Sequence, residues 1–226
     1  TQHDYSLHGP PGTFRALDGA WSAPAKGTLA GEEVPLGYLY DNPKMAQEDY
    51  TGSYGGYSGS GFQHLEKVQR LESGHAIGEW VHEKDEKARI RIHLLDGAGQ
   101  DTLLAEAQVS PVKHKQRLQY MIARRQGEAL ESSFSAVLEP FSDSVHIDKV
   151  IPLPLVVGEG RAMSAYWRDR EGRACKDVIL INTGLRSLGV AEPEVESNAR
   201  FTVLRYIEDK LKQQWSVGGS YVDIAD

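Results

Sequence analysis

The sequence is nearly free of cysteine: Cys175 is the only one among 226 residues. A single thiol cannot close an intramolecular disulfide or build a cysteine zinc cage, so a disulfide-rich scaffold and a zinc finger are excluded. A chain of this length buries enough apolar surface to fold without such cross-links. We therefore interpret Cys175 as a small, buried hydrophobic residue.

Long apolar runs and clusters of like charge are also missing. No stretch approaches the roughly 20 apolar residues that a membrane span needs. The 25 basic and 32 acidic residues give a net charge of −7 and are mixed along the chain. This mixture argues against a nucleic-acid-binding surface, which needs a clustered basic face. It is compatible with an acidic polysaccharide as partner, because a local Arg/Lys cleft can coexist with an acidic total.

Motifs for catalysis and cofactor binding are absent as well. The chain contains neither the Gly-x-Ser-x-Gly of a nucleophile elbow nor a glycine-rich phosphate loop between a strand and a helix. Its eight histidines lack the close spacing of zinc ligands. Acidic clusters at 32–33 and 83–86 fall at predicted turns, where carboxylates are normally solvated. We predict no catalytic residue, no metal and no cofactor, and expect the chain, which begins without a signal peptide, to be part of something longer.

Two-residue alternation of apolar and polar side chains dominates the sequence. In residues 88–95 the apolar side chains fall on one face of a strand and the charged ones on the other: Ile90, Ile92 and Leu94 against Arg89, Arg91 and His93. Further predicted strands are 34–40, 76–83, 103–109, 118–124, 133–138, 145–151, 162–168, 177–181 and 199–207. This pattern predicts an all-β fold, an antiparallel β-sandwich of about ten to twelve strands, as a single domain over residues 1–226.

Some segments are less regular. Residues 62–71 fit either a helical turn or an irregular strand. In residues 208–215, Asp209-Lys210 forms a hairpin turn or the segment is a short helix, and we favour strands in both segments. Residues 191–197 are interpreted as a surface connection, and Gly9-Pro10-Pro11-Gly12 as a rigid turn after a short polar strand.

Residues 41–61 form a long stretch rich in glycine, serine and tyrosine. A structureless segment of this length in a compact domain is usually functional or disordered. Tyr50, Tyr54 and Tyr57 lie within it, and exposed aromatic rings suit the apolar C–H faces of sugars. Either these tyrosines bind carbohydrate, with Trp21 or Trp80 as further candidates, or they pack locally on the domain.

Two regions of the sequence are similar to one known family. The sequence of residues 3–12, His-Asp-Tyr-Ser-Leu-His-Gly-Pro-Pro-Gly, resembles a segment of bacterial heparinase II/III-like polysaccharide lyases. Residues 120–150 resemble that family's "Tyr…Arg-Arg…Ser-x-Phe…Ile-Glu-Pro-Tyr" pattern, through Tyr120, Arg124-Arg125, Ser133-Phe134, the Val-Leu-Glu-Pro-Phe of residues 137–141, and residues 145–150.

The resemblance implies a particular architecture and chemistry. In that family an α/α toroid precedes a large β-sandwich and a smaller C-terminal β region. The reaction is β-elimination on a uronic acid, in which a Tyr or His removes the C5 proton and a Tyr returns a proton to the leaving oxygen. The catalytic and metal-binding motifs would lie before Thr1, and none is carried onto this chain.

We therefore expect a non-catalytic β-sandwich that completes the substrate cleft of a lyase. Its partners would be an acidic polysaccharide and the missing toroid, and its location periplasmic or secreted. A free-standing carbohydrate-binding module and a purely structural assembly domain remain alternatives.

The substrate-binding candidates are His3, His8, Tyr50, Tyr54, Tyr57 and Arg125. His3 and His8 are five residues apart, so a strand places them on opposite faces; they either bind substrate or are ordinary strand residues. One arginine of the pair Arg124-Arg125 must face inward, and Glu139 is its expected carboxylate partner. Arg125 would otherwise act as a clamp on a substrate carboxylate or sulfate.

Overall fold

A computed structural model describes residues 1–35, 61–95, 97, 99–110, 114–184 and 186–225. These residues contain β-strands, one short 3-10 helix (Gly61–His64) and no α-helix. The strands are β1 (Gln2–His8), β2 (Gly12–Ala16), β3 (Ala20–Trp21), β4 (Glu66–Ser73), β5 (Ala76–His82), β6 (Asp85–Leu95), β7 (Gln100–Ser110), β8 (His114–Gln126), β9 (Ser135–Phe141), β10 (Ile147–Pro152), β11 (Leu155–Val157), β12 (Gly160–Arg168), β13 (Ala174–Asn182), β14 (Leu188–Ala191), β15 (Glu194–Ser197), β16 (Phe201–Ile207), β17 (Lys210–Val217) and β18 (Val222–Ile224). The predicted all-β fold is confirmed.

The chain divides into two compact units, Thr1–Ser142 and Asp143–Asp226, at a point where the sequence shows no boundary. Each unit contains two antiparallel sheets: sheet A (β1-β8-β7-β4-β3) and sheet B (β2-β5-β6-β9) in the first, sheet C (β10-β12-β13-β16-β17) and sheet D (β11-β14-β15-β18) in the second. The predicted count of ten to twelve strands is wrong, since strands of two to four residues such as β3 and β14 are too short for alternation to reveal.

The first unit has its main hydrophobic cluster between sheets A and B. Ile92 and Trp80 of sheet B pack there with Met121 and Leu104 of sheet A. Ile92 and Met121 are among the largest side chains with essentially no exposure. The apolar face predicted for residues 88–95 therefore lies in this core, as close packing of two sheet faces requires.

Sheet A also buries side chains on its other face. Leu103, Ala105 and Ile122 form a second cluster with Leu29, and Tyr120 packs against its margin. Because both faces carry apolar side chains, short central parts of β7 (103–105) and β8 (120–123) are continuous apolar runs in the sequence rather than clean alternation.

The second unit builds its own cluster between sheets C and D. The cluster combines Val178 and Leu204 of sheet C with Leu188 and Val195 of sheet D. The interpretation of residues 191–197 as a surface connection is wrong. They end in strand β15, in which Val195 is buried because it faces sheet C.

The two ambiguous segments resolve differently. Residues 62–71 contain both alternatives, since the 3-10 helix at Gly61–His64 is followed by β4. Residues 208–215 contain a tight turn and then a strand. Glu208 and Asp209 both have positive φ, 50° and 59°, the backbone of a type I′ hairpin turn between β16 and β17.

Most of the predicted strand 34–40 lies outside the described residues. No helix among the residues described is long and apolar enough to cross a membrane.

Candidate functional site on the β1–β8 face

Parts of the two stretches that carry the family resemblance, residues 3–8 and 120–125, lie on neighbouring strands. β1 pairs antiparallel with β8 in an unbroken register that runs from Gln2 opposite Gln126 to His8 opposite Tyr120. More than a hundred residues of sequence separate these partners. The fold thus assembles residues of both resembling stretches on one edge of sheet A.

The face on which each side chain lies follows from the regular alternation of β1. Tyr5 and Leu7 pack into the core between the sheets, so Asp4, Ser6 and His8 lie on the other face. The unbroken strand confirms that His3 and His8 lie on opposite faces. We call the outer surface that carries Asp4, Ser6 and His8 with Tyr120 and Arg124 of β8 the β1–β8 face.

His8 and Tyr120 form an aromatic pair on this face. Their ring centroids are 5.0 Å apart and the rings are tilted by 52°. The Nδ1 of His8 lies 3.0 Å from the carbonyl oxygen of Gly9. A carbonyl only accepts hydrogen bonds, so Nδ1 carries the proton of this contact.

The hydroxyl of Tyr120 has a defined protonation state. Burial raises the pKa of Tyr120, because the phenolate loses solvation in an apolar environment. The hydroxyl is therefore protonated at neutral pH and is a hydrogen-bond donor. Together, the exposed ring of His8 and the donor hydroxyl of Tyr120 offer polar groups beside apolar ring surface, a combination suited to a sugar.

Arg124 is held by a bidentate ion pair. Its Nε and Nη2 donate to the two carboxylate oxygens of Asp4 at 2.9 and 2.8 Å, and the ring of Phe62 lies 5.4 Å from its Cζ. Asp101 is opposite Arg124 on β7 but pairs with Arg70 at 2.5 Å. Because Asp4 satisfies the guanidinium, Arg124 fixes the β1–β8 pairing and is not a free clamp.

The predicted partner of the arginine pair is wrong. Arg124 binds Asp4, and Nη1 of Arg125 donates to the carbonyl oxygen of Glu131 at 3.1 Å. Glu139 lies on β9 in sheet B, opposite Arg91. Alternation shows which face a residue occupies, but it does not show which sheet contains it. A substrate-binding role for Arg125, which is half-buried, stays a prediction.

Glu139 belongs to a buried polar row on sheet B. Glu79, Arg91 and Glu139 lie opposite one another on three adjacent strands, and Nη2 of Arg91 is 3.0 Å from a carboxylate oxygen of Glu79. His93 next to them is only 3% exposed. Burial, assisted by Arg91 and opposed by Glu139, lowers the pKa of His93. The polar face of β6 is thus as buried as its apolar face, which the alternating pattern alone does not indicate.

A cleft of about 300 Å³ lies on the same side of sheet A as Arg124. Its lining combines the apolar side chains of Leu29 and Leu103 with the cationic side chains of Lys26, Arg70 and Arg124. Glu32 and Glu72 also line it. The cleft therefore offers apolar surface and charges of both signs close to the residues of the β1–β8 face.

The aromatic residues predicted to bind sugar are either outside the described residues or covered by the core of the first unit. Tyr50, Tyr54 and Tyr57 lie outside the described residues. Trp80 is buried and its Nε1 donates to the carbonyl oxygen of Gln119 at 3.1 Å. Trp21 packs against the same core cluster. Trp80 has no ring face open to a ligand, and much of Trp21 is covered.

The sequence pattern gave no reason to choose the two other tryptophans as candidates. Trp167 and Trp215 lie in the second unit, and Trp215 is 44% exposed. Strand pairing places Arg205 between the two rings, and the sequence pattern does not show this. Cys175 is buried as predicted, and burial raises the pKa of its thiol.

Comparison with protein families, curated proteins and solved structures finds no match to this chain. In the part of the chain that the structure describes, no three His, Cys, Asp or Glu side chains are grouped so that they could hold a metal ion. The functional assignment therefore depends on the side chains themselves and on the resemblance in residues 3–12 and 120–150.

Proposed function

We propose that this chain is the non-catalytic β region of a polysaccharide lyase similar to heparinase II/III, and that its β1–β8 face binds an acidic polysaccharide. The observation that carries the proposal is the pairing of β1 with β8. This pairing brings residues 3–8 of one resembling stretch beside residues 120–125 of the other and places His8 beside Tyr120, near a cleft with cationic side chains.

The division of the chain supports the same proposal. A larger all-β unit, Thr1–Ser142, precedes a smaller one, Asp143–Asp226, in the order that the resemblance implies for the β-sandwich and the C-terminal β region. In each unit two antiparallel sheets share a hydrophobic cluster. We propose that each unit is a two-layer β-sandwich, which refines the single sandwich expected from the sequence.

The chemistry of the face suits binding rather than elimination. The rings of His8 and Tyr120 would pack on the C–H face of a sugar, while the Tyr120 hydroxyl donates to a ring substituent. Lys26 in the neighbouring cleft would attract a uronate carboxylate. Elimination also needs a base and a group that neutralises the carboxylate; in this proposal the toroid supplies both, and the protein acts in the periplasm or outside the cell.

Isothermal titration of the chain with a polyuronate such as alginate and with a sulfated glycan such as heparin tests the proposal. We expect binding that the double substitution His8→Ala/Tyr120→Phe weakens about tenfold or more, through loss of one ring and one hydroxyl donor. His3→Ala is the matched control, because His3 lies on the opposite face of the same strand. Its affinity should equal that of the wild type.

Three results would contradict the proposal. No heat with any polysaccharide would remove the binding role. Equal loss of affinity in the His3 and His8 variants would show that the β1–β8 face is not the site. A rise in ultraviolet absorbance from unsaturated uronate, produced by the chain alone, would show that it is catalytic.

A further inference from the structure

One face of sheet C in the second unit carries a stacked arrangement of aromatic and cationic groups. The guanidinium of Arg205 lies 4.7 Å from the ring centroid of Trp167 and 5.2 Å from that of Trp215. Its Nε and Nη2 donate to the two carboxylate oxygens of Asp177, both at 2.8 Å. Asp177 offsets the charge of Arg205, so the arginine holds the two rings in fixed positions. We call this surface the tryptophan face.

The tryptophan face is open to solvent along β16 and β17. Val203 is opposite Trp215 and Phe201 is opposite Val217, so these four side chains lie on one side of the sheet. Phe201, Trp215 and Val217 are all exposed. An exposed strip of large apolar side chains around a fixed tryptophan ring is characteristic of a binding surface.

A β-bulge brings two lysines to the same surface. In a regular strand Lys210 and Lys212 would lie on the face opposite Trp215, because their numbers differ from 215 by odd steps. In β17, however, Leu211 is opposite Tyr206 and Gln213 is opposite Arg205, so Lys212 is an extra residue. The extra residue reverses the alternation and places Lys210 on the side of Trp215.

A cleft beside the stack shows where these lysines lie. The cleft measures about 390 Å³, and both Lys210 and Lys212 line it together with Trp167, Arg205 and Gln213. The bulge thus combines, in one place, features that strict alternation would put on opposite faces of the sheet.

The charges in this cleft are not equally available to a ligand. Arg205 is paired with Asp177, and Arg173, which also lines the cleft, is paired with Asp169 at 2.7 Å. Neither Lys210 nor Lys212 forms an ion pair with another described residue. Glu208 is the one acidic side chain among the described residues that line the cleft. Two ammonium groups that line one cleft with Trp167 therefore favour an anionic ligand, although the chain as a whole carries −7.

We propose that the tryptophan face is a second polysaccharide-binding site, which takes an acidic sugar whose ring stacks on Trp215. The carboxylate or sulfate of that sugar binds Lys210 and Lys212. This site is independent of the β1–β8 face, and it would tether the second unit to the polymer. A single-stranded nucleic acid uses similar groups, but it requires a basic groove that follows several phosphates, and this cleft offers two unpaired lysines.

The test compares three variants with the wild type by isothermal titration against alginate, heparin, a neutral β-glucan and single-stranded DNA. We expect Trp215→Ala and Lys210→Gln/Lys212→Gln each to weaken binding of at least one acidic glycan about tenfold. A loss with alginate indicates a contact with a carboxylate, and a loss with heparin a contact with a sulfate. The lysine variant should also show a weaker dependence of affinity on salt, because two ionic contacts are lost. Lys149→Gln removes one positive charge on the opposite face of sheet C, where the side chain lies over Tyr166, and should bind like the wild type.

The outcomes separate this inference from the proposed function. If His8→Ala/Tyr120→Phe weakens binding while the Trp215 and lysine variants do not, the second site does not exist and the β1–β8 face remains. If only the Trp215 and lysine variants weaken binding, the β1–β8 face is not a site and the tryptophan face is. Tighter binding of DNA than of any glycan, or an effect of Lys149→Gln equal to that of the other lysines, would overturn the inference. Equal thermal midpoints of all variants would show that these losses do not come from unfolding.

Discussion

The ion pair between Asp4 and Arg124 makes a quantitative prediction about stability. Both side chains are largely buried, 14% and 11% exposed, and share two hydrogen bonds of 2.9 and 2.8 Å. Asp4→Asn leaves the shape nearly unchanged but removes the charge opposite the guanidinium. Breaking a fully buried pair costs about 3–5 kcal/mol.

The expected cost is smaller here because Arg124 keeps other neighbours. The ring of Phe62 remains 5.4 Å from its Cζ, and Asp101 remains opposite on β7. We expect the free energy of unfolding of the first unit to fall by about 2 kcal/mol, within the range for hydrogen bonds to charged groups. For a unit of this size the thermal midpoint should fall by about 4–8 °C.

Urea denaturation and thermal melting, both followed by circular dichroism, measure the effect. Asp101→Asn is the control on the same face, since its pair with Arg70 is exposed, 42% and 57%, and should contribute at most about 1 kcal/mol. A double-mutant cycle of Asp4→Asn with Arg124→Met should give a coupling energy above about 1 kcal/mol. Equal losses in the two Asp variants, or a coupling energy near zero, would show that the buried pair of Asp4 and Arg124 does not stabilise the first unit.

Two further predictions concern the core of the first unit. The lowered pKa of His93 means that the folded state binds fewer protons than the unfolded state. The stability that the neutral side chain of His93 gives the folded state is therefore fully present above about pH 6.5 and is lost as the pH falls below that value. The free energy of unfolding should therefore fall less between pH 7 and 5 in His93→Leu than in the wild type; parallel curves would contradict this. In Gly9→Ala the new Cβ would lie 2.2 Å from Cγ of Trp80, a clash that should cost about 1–3 kcal/mol in urea denaturation. Gly127→Ala, whose Cβ meets nothing nearer than Leu130 at 3.7 Å, should change little, and equal effects of the two would show that Trp80 is not the cause.

Alternation in the sequence predicts faces correctly where a strand is long and regular. It places Ile92 and Leu94 in the core, and both are buried. It does not predict that His93 on the other face is buried too, because the pattern records polarity and not what covers a face. It also cannot identify Asp4 as the partner of Arg124, since their pairing depends on which strands become neighbours.

The two candidate binding surfaces also differ in how far the sequence alone could predict them. His8 could be proposed from the sequence because a short strand and a resembling stretch contain it. Trp215 and Lys210 could not be combined, because an even spacing of side chains puts them on opposite faces. One extra residue at Lys212 reverses this assignment, and such a bulge leaves no signal in composition or periodicity.

The remote pairing of β1 has a consequence for how the protein forms. During synthesis β1 emerges before the other strands of sheet A, yet its one neighbour among the described strands of that sheet is β8, which is completed more than a hundred residues later. The second unit instead relies on hairpins between consecutive strands, such as β12 with β13 and β16 with β17. Closing a long loop costs more chain entropy than closing a hairpin. The backbone of β1 therefore stays unpaired, and open to chaperones or to mispairing, until β8 has been synthesised and has left the ribosome.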